Sequence, residues 1–156
     1  MTGRDRRMGN APLIMLIFYT LFIAFVTLTP QQLDTGPYGP IGRLLEFFAS
    51  HSATEWLTYS RVEKLANVGM FIPFGLLLAL HLGRSRWWLG GVVGAGFSAA
   101  IEIFQGTVLT QTRFATISDL VTNTIGSGIG AALGLLVMVL LPPKQEEDRP
   151  PDRVVR

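Results

Sequence analysis

The stretch LVTNTIGSGIGAALGLLVMVLL, residues 120–141, carries no ionisable side chain and stops at Pro142 and Pro143. A helix crosses the hydrocarbon of a bilayer with about 20 mostly apolar residues, and proline cannot continue one. The stretch therefore reads as a membrane-spanning helix. Its glycines, Gly126, Gly130 and Gly134, recur at intervals of four. Small residues at that spacing let membrane helices pack backbone to backbone.

Three more segments qualify on the same grounds, at 12–28, 65–82 and 87–104. Pro12 suits a first helical turn. Pro73 lies inside the second segment, which lipid-embedded helices tolerate when neighbours satisfy the freed carbonyl. Arg4, Arg6 and Arg7 ahead of the first segment also fit a signal peptide. That run is long for a signal peptide, however, and Thr27-Leu28-Thr29-Pro30 lacks a small-residue cleavage site, so a retained anchor is favoured. The expected fold is all-α: a polytopic membrane protein built as a four-helix transmembrane bundle.

Composition agrees. Hydrophobic residues make up 49% of the 156 and charged residues 15%, against roughly 25% charged in soluble domains. The charges cluster at the termini and in the connections. The sequence pI of about 9.4 comes with no basic stripe interleaved with exposed aromatics, which argues against a nucleic-acid partner. The chain has no cysteine, so disulfide and thiolate chemistry are excluded. His51 and His81 are the two histidines, too few for a histidine-rich metal site. The sequence names no cofactor.

Lys and Arg enrichment marks the cytoplasmic side. With the N-terminus inside, nine of the thirteen fall inside (Arg4, Arg6, Arg7, Arg84, Arg86, Lys144, Arg149, Arg153, Arg156) and four outside (Arg43, Arg61, Lys64, Arg113). Both termini are thus expected in the cytoplasm. The organisation expected is a basic N-terminus at 1–11, a transmembrane domain at 12–141 with an outer loop at 31–64, and a charged, Pro-rich tail at 142–156, read as disordered. Within the loop, Gly36-Pro37-Tyr38-Gly39-Pro40 is irregular. Ile41, Leu44, Leu45 and Phe48 then follow helical spacing; a short amphipathic surface helix and a loop packed on the helix ends fit equally well.

Polar groups inside membrane segments are costly and call for a reason. Asn67 lies near the outer end of the second segment; Ser98, Glu102 and Gln105 share a face of the third; Asp119 and Asn123 share a face of the fourth. Arg113 comes from the short outer connection. Under the expected topology all of them arrive at one depth. Gly90, Gly94 and Ser98 form a small-residue ridge leading to Glu102, and Gly75 and Ala79 continue the row through Asn67 and Phe71. Packing faces and polar faces therefore coincide, and the polar groups point into the bundle.

A purely architectural reading stands beside this one. Ser60-Arg61-Val62-Glu63 and Thr116-Ile117-Ser118-Asp119 both fit the capping box, so Glu63 and Asp119 read as helix caps. Asn67, Gln105 and Asn123 would be interhelical glue, Ser98 a small packing residue, and Glu102 with Arg113 an ion pair.

Three stretches resemble the VanZ-like membrane proteins: EKLANVGMFIPFG at 63–75, SAAIEIFQ at 98–105 and RFATISDLVTNTIG at 113–126. They occur in that family's order, and the resemblance as a whole extends over nearly the whole chain. Glu63 stands where many members have Asp. The family takes its name from an accessory protein of glycopeptide resistance that confers low-level resistance to teicoplanin, and most members are not encoded with resistance genes. The resemblance places the family's polar positions on Lys64, Asn67, Glu102, Gln105, Arg113, Asp119 and Asn123.

Three functions fit. The first is a site at the outer leaflet for a small or lipid-linked envelope molecule. In it Arg113 and Lys64 hold an anionic group, Asn67, Gln105 and Asn123 orient the ligand, and Glu102 and Asp119 serve as acid and base if chemistry occurs. Oxygen ligands there would also suit magnesium or calcium. The second is a non-enzymatic structural or partner-binding protein whose polar cluster locks the helices. The third, transport, is weakest, because the inner halves of the helices look apolar and a pathway needs polar groups along its length. Apart from the bilayer itself, the sequence names no partner and no oligomeric state.

Overall fold

The computed structural model describes residues 10–28, 43, 46–47, 50–51, 54, 56–109 and 116–141. Four helices account for most of them: α1, Ala11–Leu28; α2, Tyr59–Leu82; α3, Leu89–Val108; and α4, Ile117–Leu140. No strand occurs among the described residues. All four helices are long and apolar enough to span a bilayer. Their apolar side chains point outward as well as inward. On α1 only Pro12, Leu16 and Ile23 are buried, while Ile14, Ile17, Phe18, Leu21 and Phe25 are exposed. A helix apolar all round needs lipid on its free face.

Two ends differ from the sequence expectation. The second helix begins at Tyr59, six residues before the apolar run, with Thr58 as N-cap and no side-chain cap hydrogen bond. Ser60 is therefore already helical, and Glu63 is exposed along α2 instead of closing a capping box. The chain stays helical into the polar flank because the first turns of a membrane helix can sit in the interface, where water satisfies free N–H groups. At the other end of α2, Gly83 turns the chain at φ 83, a left-handed value that glycine takes at little cost. Its N–H bonds the Ala79 carbonyl at 2.9 Å.

Glycine sets the packing of α2 on α4. A Cβ added at Gly126 would overlap the Val68 carbonyl, one at Gly130 the Ile72 carbonyl, and one at Gly134 would lie 3.1 Å from the Leu76 oxygen. These are three rungs four residues apart on both helices, so α2 and α4 run parallel in register. Cα–H groups facing carbonyl oxygens at such a contact add weak hydrogen bonds. The third helix runs antiparallel to both. Gly94 faces Ser127, and a Cβ at Gly90 would stand 2.8 Å from the Gly75 oxygen. The glycine ridges read from the sequence are thus the actual helix seams.

The apolar core lies between α1, α2 and α3. Leu16, Ile23, Phe71, Phe74, Leu77, Leu78 and Ile101 are buried together, and the Phe74 and Phe97 rings stack with centroids 5.3 Å apart. Tyr19 donates to the Met70 carbonyl at 2.9 Å. The carbonyl that Pro73 deprives of its helical partner is that of Gly69, four residues back. The hydroxyl therefore lands one residue beyond the group the sequence reading expected neighbours to satisfy.

Candidate functional site

The helix directions bring the end of α1, the start of α2, the end of α3 and the start of α4 to one rim of the bundle. Thr116, extended at φ −126 and ψ 135, is the N-cap of α4. Its hydroxyl accepts the Asp119 N–H at 3.1 Å, the first half of a capping box. In the second half, the acidic side chain three residues on normally reaches back to the N-cap N–H. Here Glu102, from α3, takes that place: its Oε2 accepts the Thr116 N–H at 2.8 Å. Asp119 is left to accept from Asn67 Nδ2 on α2, at 2.9 Å. A motif that is local in sequence thus becomes a junction of α2, α3 and α4.

One turn deeper, Asn123 Nδ2 donates to Ser98 Oγ at 3.0 Å, joining α4 to α3. Ser98 is fully buried, and its hydroxyl makes it more than a small packing residue. Gln105 is 5% exposed. Its Nε2 donates to the Thr27 carbonyl at 2.8 Å, satisfying one of the acceptors that the end of α1 leaves open.

Lys64 is exposed on α2, three residues before Asn67 and so on a neighbouring face. Arg113, expected beside the carboxylates, lies outside the described residues, as do most of the amphipathic stretch at 41–48 and both chain termini. Of the residues singled out from the sequence, Asn67, Glu102, Asp119 and Asn123 occupy two successive layers where α2 and α3 meet α4, and Gln105 faces α1. The roles of Thr116 as a bridging donor and of Thr27 as an acceptor had no signal in the sequence, since both act through backbone groups.

The electrostatics of the rim are unbalanced. A helix N-terminus carries roughly half a positive charge, whereas two carboxylates, Glu102 and Asp119, converge on the start of α4. Along α2, Lys64 is the basic residue nearest in sequence to Asn67. Among the described residues, no three His, Asp or Glu side chains gather as a metal cage.

These features define a class: a polytopic α-helical membrane protein with glycine-packed helices and a polar junction at one end. The VanZ/LLP1 family model matches residues 13–140, so the chain belongs to that family. No curated protein matches the chain, and no solved structure does.

Proposed function

We propose that the polar rim binds the head group of an envelope lipid or lipid-linked molecule at the outer leaflet, with both termini in the cytoplasm. The observation that carries this reading is the second carboxylate. Locking α3 to α4 needs only an acceptor for the Thr116 N–H, and a neutral glutamine would supply one at a smaller desolvation cost. Glu102 places an ionisable carboxyl group there instead. Lys64 and Arg113 take an anionic part of the ligand, Asn67 and Asn123 orient it, and Gln105 fixes α1 beside it. If the bound molecule is also cleaved, Glu102 and Asp119 are the groups placed to carry protons. Low-level glycopeptide resistance or envelope homeostasis would follow from occupancy of such a site. Mass spectrometry of the purified protein from its native membrane tests this: wild type carries bound lipid, and Glu102→Gln and Arg113→Ala lose it. Retention of the lipid by both variants overturns the reading.

A second reading has its own observation. Asn67, Glu102, Gln105 and Asn123 each make a hydrogen bond to another helix or to its cap. On this reading the cluster is a lock: Glu102→Ala loses thermal stability in detergent, Glu102→Gln keeps most of it, and both keep any bound lipid.

A further inference from the structure

We propose that Asn123 is the floor of the head-group site and that it selects ligands carrying an N–H or O–H donor. This rests on the lipid-binding reading above and goes one turn deeper than it. Asn123 is 4% exposed. Its Nδ2 is used on Ser98, but its Oδ1 is buried with no hydrogen-bond partner among the described residues. A buried carbonyl oxygen left without a donor is destabilising, and native structures seldom keep one without a use. Interhelical locking does not require it, because an apolar side chain opposite an alanine would fill the same seam.

The position gives the unpaired oxygen its meaning. Asn123 lies one turn beyond Asp119 on α4, and Ser98 one turn before Glu102 on α3. The oxygen therefore sits in the α3–α4 seam directly beneath the two rim carboxylates. All three groups are acceptors, and a phosphate alone, itself an acceptor, satisfies none of them. A head group with a donor at its tip fits: the ammonium or hydroxyl reaches Asn123, and the phosphate behind it stays at the level of Lys64. Protein covers Oδ1 in this structure, so a donor that reaches it must part the α3–α4 seam.

Phosphatidylethanolamine and phosphatidylcholine share charge and phosphate but differ in N–H donors, and phosphatidylglycerol supplies hydroxyls. Retention of each by the full-length protein, reconstituted with defined mixtures and read by native mass spectrometry, tests the proposal. The expected result is a roughly five- to tenfold preference for the donor-bearing lipids over phosphatidylcholine, the size of one hydrogen bond. Preference for the ethanolamine lipid identifies an amine seat, and preference for the glycerol lipid a hydroxyl seat. In the double variant Ser98→Ala/Asn123→Leu, which removes both partners and stays folded by its melting temperature, the preference disappears. Equal retention of phosphatidylcholine overturns the proposal; it is the outcome expected if the amide is turned the other way and the seat holds an acceptor. Persistence of the preference in the double variant also overturns it. Retention of no lipid at all overturns the binding reading itself.

Discussion

Glu102 on α3 accepts the backbone N–H of Thr116, the N-cap of α4, at 2.8 Å. That hydrogen bond is one a local capping box would give to Asp119. The exchange frees Asp119 for Asn67, so a single N-terminus anchors two other helices. The consequences can be measured one contact at a time.

Glu102→Ala removes the only acceptor described for the Thr116 N–H, and a hydrogen bond to a charged group contributes roughly 1.5–3 kcal/mol. The melting temperature in detergent is expected to fall. Glu102→Gln keeps an acceptor at that place and is expected to melt within a few degrees of wild type. Equal losses in the two variants would show that charge, not the hydrogen bond, holds the junction.

The Asn67–Asp119 contact should couple. In a double-mutant cycle with Asn67→Ala and Asp119→Ala, the expected interaction term is about 0.6 kcal/mol and at most about 1.7 kcal/mol, the range for polar contacts between membrane helices. Additive single effects would remove this contact from the account.

Gly130→Ala places a methyl group on the Ile72 carbonyl, and overpacking of a tight contact costs roughly 1–3 kcal/mol. Gly128→Ala, whose added methyl meets nothing within 4 Å, is expected to change stability by no more than about 0.5 kcal/mol. Reversible unfolding in detergent separates the two. Similar effects at both positions would contradict the parallel α2–α4 register.

Tyr19→Phe deletes the hydroxyl that ties α1 to the Met70 carbonyl while keeping the ring. The expected loss is about 0.5–1.5 kcal/mol. Hydrogen exchange should also speed up at the α2 amides around Pro73.

The helices were legible because each apolar run is long enough to demand a bilayer, and the glycine rows at 75, 90, 94, 126, 130 and 134 gave the seams. The gathering of Asn67, Glu102, Asp119 and Asn123 was legible too, since helix direction alternates and each polar residue sits near the same end. What stayed hidden were bonds to backbone groups. Nothing in the sequence tells that Glu102 would find the Thr116 N–H, or that Gln105 would find the Thr27 carbonyl, because every residue carries those atoms. The start of α2 escaped for a related reason: Ser60 to Glu63 fits a capping box by residue type, but the helix begins two residues earlier, with Thr58 as N-cap and no side-chain cap.

The proposed function depends on which side of the membrane the rim faces, and the cysteine-free chain makes this direct to measure. Single variants Ser60→Cys, at the rim start of α2, and Ser85→Cys, in the turn between α2 and α3, are exposed in intact spheroplasts to a membrane-impermeant maleimide. The account predicts labelling at 60 without permeabilisation and at 85 only after it. The reverse pattern would put Glu102 and Asp119 at the cytoplasmic face and contradict an outer-leaflet site.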